Sequence, residues 1–277
     1  MSTPILGFVE RSGPLHSLSG VSKLILACGM VIGAMIGFDL RYLLALSVFS
    51  LVLWWLSRVR LRDLALVLIV IAVFMVLNNL LIFVFAPGYG AELYSSRTLL
   101  LDGPWHWDLT AQQLFYQANV TAKYFAMLPA VLLFIATTRP PEFASSLNRI
   151  GVPYRIAYAV SLALRYIPDV QREFRTISKA QQARGLDTSR KVGIGTRLRN
   201  TLAVLMPLLL GTFDRIEQVS TAMELRGFGR GKRRTWAVST PLRARDWLVI
   251  ALSVLIVAAA AALVWINGGR FWNPFIG

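Results

Sequence analysis

The sequence predicts an all-α integral membrane protein with about five transmembrane helices and long helices on the cytoplasmic face. Of its 277 residues, 56% are hydrophobic, and the mean hydropathy is +0.57. That is too apolar for an ordinary water-soluble domain. Five runs, at about 21–38, 41–57, 64–86, 114–137 and 247–267, are long and apolar enough to cross a bilayer, which takes roughly 17–25 residues. The chain carries 29 Lys and Arg, and 25 of them fall on one side of the membrane if the N-terminus is placed in the cytoplasm. This positive-inside bias sets the expected topology, N-terminus inside and C-terminus outside.

The first two runs meet at the tight connection Asp39–Arg41. The second and third are joined by Ser57-Arg58-Val59-Arg60-Leu61-Arg62-Asp63. Trp54, Trp55 and Trp247 sit at inner edges, while Trp265, Phe271 and Trp272 sit at the outer edge of the last span, as interfacial aromatics do. Residues 87–112, with Pro87, Gly88, Gly90, Asp102, Gly103, Pro104, Trp105 and Trp107, read as an outer loop lying on the interface. Asn78 and Asn79 of the third run, and Gln117, Asn119, Thr121 and Lys123 of the fourth, are polar at membrane depth. Two readings fit them. One is helix-to-helix hydrogen bonding with a snorkelling lysine; the other is a contact surface for a further membrane subunit, or a solute path, at Asn78, Asn79 and Lys123. Cys28 is the lone cysteine, so no disulfide forms within the chain.

The chain accordingly divides into a membrane part at 1–138 with four spans, a cytoplasmic-face helical region at 139–246, and a final span with its tail at 247–277. Within 139–246, Pro140 and Pro141 suit a helix start. Arg149-Ile150-Gly151-Val152-Pro153 stops one helix and starts another. Pro168 is expected to kink or break the run 153–185, and Pro207 to interrupt the run that follows Gly193 and Gly195. Fully helical, the first run would be about 50 Å long.

Both runs end in the same short pattern. Ala180-Gln181-Gln182-Ala183-Arg184-Gly185 closes the first, and Ala222-Met223-Glu224-Leu225-Arg226-Gly227 closes the second; the arginines are 42 residues apart. Val160, Leu164, Ile167, Val170, Phe174 and Ile177 lead to Arg184 on one helix face, and Leu198, Leu202, Leu205, Leu209, Ile216 and Val219 lead to Arg226. Arg-Gly at a helix end is ordinary capping chemistry, since Gly takes the left-handed conformation and a cation faces the negative end of the dipole. The second reading is a pair of docking tips, in which Ala permits close approach and Arg bonds to carboxylates or carbonyls.

Machinery for bond-making is missing from the pattern. Gly227-Phe228-Gly229-Arg230-Gly231-Lys232 has the wrong spacing for a phosphate loop and follows a helix, not a strand; it reads as a flexible basic link at the headgroup surface. His16 and His106 are the only histidines and stand far apart, so no metal site and no His-based triad is expected. Asp63, Asp169, Asp214 and Glu217 are scattered. No catalytic residue, metal or cofactor is assigned. The charge of +15 is interleaved with apolar seams and follows the inner-leaflet bias, which argues against nucleic-acid binding.

These residues resemble the transmembrane T component of energy-coupling factor transporters, ATP-driven importers of vitamins and transition metals. The resemblance rests on Ala183-Arg184-Gly185 and Leu225-Arg226-Gly227, with Thr137-Thr138-Arg139-Pro140, Gly151-Val152-Pro153 and Leu162-Ala163-Leu164-Arg165-Tyr166-Ile167-Pro168 around them. It covers about residues 115–230, and Leu225 departs from the alanine common before the second Arg-Gly. The resemblance implies a multi-pass scaffold in a bacterial cytoplasmic membrane, with no catalysis of its own. It implies that the tips dock into two ATP-binding-cassette ATPases and that the chain holds a small substrate-binding membrane protein, the S component. ATPase closure would move the tips and tip the S component over; separately, Pro168 is expected to mark a hinge between the membrane-side and ATPase-side parts of the first long helix. The alternative is an ordinary importer permease carrying its own substrate path. Such permeases use one coupling loop with Glu-Ala-Ala, a pattern this chain lacks.

Overall fold

A computed structural model describes residues 15, 17–101, 108–186, 193–229, 231, 236 and 240–275. Arg11, His16, His106, Asp102, Gly103, Pro104, Trp105 and Trp107 lie outside the described residues, as do Arg230, Lys232, Arg233 and Arg234. The chain forms two compact units, one from the described residues up to Arg139 together with those from Thr240 onward, the other from Pro140 to Ser239.

The first unit is a helical bundle. It contains α1 (Gly20–Ile36), α2 (Leu40–Ser57), α3 (Ala65–Phe85), the short α4 (Tyr89–Tyr94), α5 (Ala111–Thr137) and, numbered by chain order, α9 (Ala244–Ile266). α2, α3, α5 and α9 are each long and apolar enough to cross a membrane; α1 is apolar but has 17 residues. It is shorter than its apolar run because the turn into α2 starts at Gly37, which is extended, and Asp39 caps α2 by accepting from the Arg41 amide at 3.0 Å.

Small residues let the helices approach. A Cβ on Gly29 of α1 would lie 2.0 Å from Ser253 Oγ of α9, and one on Gly33 would lie 2.9 Å from Ile256 Cγ2. Ser253 Oγ also donates to the Ile25 carbonyl at 2.8 Å. On the other side, Ser47 of α2 donates to the Ala122 carbonyl of α5 at 3.0 Å, and Leu43, Leu46, Ala122 and Ala126 interlock around Met30. Lipid tails are as apolar as leucine, so close packing and such hydrogen bonds hold these helices together.

Each end of the bundle is tied by polar groups. At one end Asp246 accepts from the Ser19 amide (2.8 Å), Ser22 Oγ (2.6 Å) and the Arg243 amide (2.8 Å). One buried carboxylate thus serves the N-terminal ends of both α1 and α9, where the helix dipole favours negative charge. Nearby, the buried Lys23 ammonium donates to the Thr137 carbonyl at 3.0 Å, at the negative end of α5. At the other end, Phe38 bonds through its amide to the Arg270 carbonyl (2.8 Å), and Asn267 Nδ2 donates to Asp39 Oδ2 (3.2 Å). Phe271 packs on Phe38 with ring centroids 4.7 Å apart, and the Arg41 guanidinium lies 3.8 Å above Trp272.

The segment read as an outer loop has structure of its own. It contains α4 and an antiparallel pair, β1 (Leu99–Leu101) with β2 (Leu109–Thr110). Two adjacent glutamines of α5 organise it. Gln112 accepts from the Thr98 amide and donates to the Ser96 and Thr98 hydroxyls, and Gln113 accepts from the Gly90 amide.

The second unit holds α6 (Pro140–Arg149), α7 (Tyr154–Ala183) and α8 (Ile194–Leu225). The prolines start α6 as expected, and Gly151 ends it at φ +108°. The expected breaks at Pro168 and Pro207 do not occur: both prolines lie inside unbroken helices of 30 and 32 residues. A proline removes one hydrogen bond from a ladder of many and presses on one carbonyl. The remaining turns keep each helix continuous. α7 and α8 run antiparallel, since Glu173 pairs with Arg215 at 2.8 Å while Tyr158, near the start of α7, meets Phe228, just past the end of α8.

Candidate functional site: two arginine helix tips

The two Arg-Gly patterns become two helix ends of one geometry. At the end of α7 the Gly185 amide donates to the Gln182 carbonyl at 2.9 Å, and the Leu186 amide to the Gln181 carbonyl at 3.1 Å. At the end of α8 the Gly227 amide donates to the Glu224 carbonyl at 2.9 Å, and the Phe228 amide to the Met223 carbonyl at 2.9 Å. Gly185 and Gly227 have φ of +89° and +65°. This is the paired capping arrangement that turns a helix through a left-handed glycine.

The cap alone is not what sets these ends apart. α6 and α9 end the same way at Gly151 and Gly268, preceded by Ile150 and Asn267. Among the described helices only α7 and α8 put an arginine at the position before the glycine, and both Arg184 and Arg226 are exposed. Ala183 and Leu225, one residue earlier, are exposed as well; Leu225 keeps 84% of its surface. Each tip therefore offers an apolar knob, a guanidinium fork and then a chain reversal. That set can enter a groove and bond to carboxylates or carbonyls inside it.

Antiparallel packing places the tips far apart. Phe228 sits beside Tyr158, and 26 residues of helix separate Tyr158 from Arg184, so the tips stand roughly 40 Å from each other along α7. One small partner site cannot take both. Beside Arg226 a cleft of about 350 Å³ opens between α7 and α8, lined by Tyr158, Arg165, Asp169 and Met223.

Other residues singled out in the sequence are placed as follows. Pro168 is exposed, and its carbonyl accepts from Arg172, which also pairs with Asp169 at 2.7 Å. Asn79 packs α3 on α5: its carbonyl accepts from Gln117 at 3.1 Å, and its side-chain oxygen lies 3.5 Å from the Thr121 hydroxyl. Lys123 holds its ammonium 3.2 Å from the Phe38 ring. Asn78 is half-buried, and its side chain finds no hydrogen-bond partner among the described residues. Asn79 and Lys123 thus both make contacts within the bundle.

Sequence reasoning missed three residues. Phe228 packs against Tyr158 and Tyr154, with centroids 4.8 and 5.7 Å away. Arg155 donates to the Gly229 carbonyl at 2.9 Å, and Trp236 donates to Asn148 of α6 at 3.2 Å. These contacts involve Phe228, Gly229 and Trp236; the basic residues of the segment read as a flexible link lie outside the described residues. An aromatic directly after a helix-stop glycine is the signal that could have shown the Phe228 contacts.

Comparison with known proteins agrees with the architecture. The family model described as Cobalt transport protein, CbiQ, matches residues 11–236. Energy-coupling factor transporter transmembrane proteins named EcfT are similar to this chain. That of Thermanaerovibrio acidaminovorans is 31% identical over 91% of this chain and 92% of its own length. Those of Limosilactobacillus fermentum and Exiguobacterium sibiricum are 33% and 34% identical over 55% and 54% of this chain, and the chain spans about three fifths of the length of each. A stretch of a much longer protein from Bifidobacterium longum, named a putative ABC transporter ATP-binding protein, is 33% identical over 47% of this chain and 18% of that protein. With a helical membrane bundle followed by a separate pair of long helices, the chain belongs to the CbiQ/EcfT family, the transmembrane components of energy-coupling factor transporters.

Proposed function

We propose that this chain is the scaffold of an ATP-driven importer and docks two ATP-binding-cassette ATPases through Arg184 and Arg226. The observation that carries this reading is the pair of exposed arginine tips of one geometry, roughly 40 Å apart along α7. Two separated tips suit two partner subunits. The Bifidobacterium longum protein supports ATPase coupling, since a stretch like this chain occurs there within a polypeptide named for ATP binding. In this reading the end of the bundle at Lys23, Thr137 and Asp246 faces the cytoplasm, because the connected 139–246 region holds 20 of the 29 cations.

The scaffold carries no catalytic site; ATP hydrolysis belongs to the partners. Substrate is held by a separate S component, a small membrane protein for a vitamin or a transition metal, and tip movement reaches it through α7 and α8 with Pro168 as hinge. Asn78, left without a partner, is the polar group of α3 offered to a further membrane subunit.

The test is capture of ATPases from native membranes by the tagged full chain, beside an Arg184→Glu/Arg226→Glu variant. ABC-type ATPases should accompany the first and be lost with the second, while both insert equally. Undiminished capture by the variant would remove the docking reading.

A further inference from the structure

The two tips share a cap, and the described residues show what surrounds the α8 tip. Arg184, Gly185 and Leu186 make, among the described residues, only capping hydrogen bonds to α7 itself. The end of α8 is fastened to another helix. Phe228 is the residue after the stop glycine, and its ring meets Tyr158 at 4.8 Å in a tilted contact and Tyr154 at 5.7 Å edge-on. One residue later the Gly229 carbonyl accepts from Arg155 at 2.9 Å. Gly229 has φ of +92°, a turn that brings its carbonyl to Arg155 and that other residues adopt only under strain. The chain is caught again at Trp236, which bonds to Asn148 of α6.

We propose that Phe228 is a positioning residue for Arg226: seated between Tyr154 and Tyr158, and backed by the Arg155–Gly229 bond, it fixes the α8 docking tip on the start of α7. This rests on the docking reading above. A helix end alone can fray and swing; an end pinned by two ring contacts and one charge-assisted hydrogen bond presents its arginine in one place. Preorganisation raises affinity because less ordering remains to be done on binding. The ring also leads movement of the Arg226 tip directly into the first turns of α7.

The test uses the full chain in lipid nanodiscs, with Cys28 changed to Ser and spin labels on cysteines placed at the exposed positions Gln171 and Glu224. Distances are measured by double electron–electron resonance, and binding of purified ABC-type ATPases is measured in parallel on the same variants without the labelling cysteines, with Gln171 and Glu224 retained. The parent should give one narrow distance distribution. Phe228→Ala should broaden it at least twofold and weaken ATPase binding on the order of tenfold; Phe228→Tyr should leave both as in the parent. If Phe228→Ala does not accumulate, Arg155→Ala, which removes only the bond to Gly229, should broaden the distribution in the same direction. A distribution as narrow in Phe228→Ala as in the parent overturns the brace. A broadened distribution with unchanged ATPase binding overturns the positioning role. If the parent binds no ATPase, the docking reading fails and the positioning role with it, while the distances still decide the brace.

Discussion

Replacing Gly29 with alanine should drive α1 and α9 apart. The new Cβ would lie 2.0 Å from Ser253 Oγ and 3.2 Å from both Ser253 Cβ and the Ser253 carbonyl oxygen. The hydroxyl is not free to turn away without cost, because it donates to the Ile25 carbonyl at 2.8 Å. Overpacking of this kind costs about 1–3 kcal/mol, and loss of the hydrogen bond adds about 1 kcal/mol. The gain in helix propensity from Gly to Ala offsets up to about 1 kcal/mol. The net expectation for Gly29→Ala is a loss of about 1–3 kcal/mol. Ser253→Ala alone should cost about 1 kcal/mol. In the double variant the atom at 2.0 Å is gone and the nearest remaining contacts are at 3.2 Å, so the two changes should be non-additive, with the double variant more stable than Gly29→Ala alone. Equilibrium unfolding of the purified chain in mixed micelles gives the three free energies. A Gly29→Ala variant as stable as the parent, or strictly additive losses, would refute the packing described for α1 and α9.

Two further outcomes follow from single groups. Asp246→Ala leaves the Ser19 amide, the Ser22 hydroxyl and the Arg243 amide without their shared acceptor, and should cost about 2–4 kcal/mol in the same unfolding assay; a loss under about 0.5 kcal/mol would show that water serves these donors as well. Pro168→Ala restores one hydrogen bond to the middle of α7, so hydrogen exchange around residues 164–168 should slow while uptake in reconstituted vesicles falls; unchanged uptake would remove Pro168 as a hinge.

Much of the architecture was legible because the bilayer imposes a strong pattern. Apolar runs had to be long, and they fell within a few residues of α1, α2, α3, α5 and α9. Helix stops were legible at Gly151, Gly185 and Gly227, which all take positive φ. Prolines were legible only in part: neither Pro168 nor Pro207 breaks its helix, because the long helices around them absorb the lost hydrogen bond. Polar residues at membrane depth were ambiguous: the sequence cannot say which face of α5 carries Gln117 and Thr121 toward Asn79 and which carries Lys123 toward Phe38. The roles of Gln112, Gln113, Phe228 and Trp236 depend on partners distant in sequence, and no local period announces them. At the tips, the two Arg-Gly helix ends were legible, but their separation emerged only from the antiparallel packing of α7 and α8.

The most direct measurement is site-specific photo-crosslinking from Ala183 and from Leu225, the exposed neighbours of the two arginines. Each position would carry a photoreactive residue in the full chain in native membranes, with the exposed Arg197 position at the start of α8 as a control. The scaffold account predicts that both tips, and not the control, form adducts with ABC-type ATPases, and that Arg184→Glu and Arg226→Glu each abolish the adduct at their own tip. Adducts with lipid alone at both tips, or an ATPase adduct that survives reversal of the adjacent charge, would contradict it.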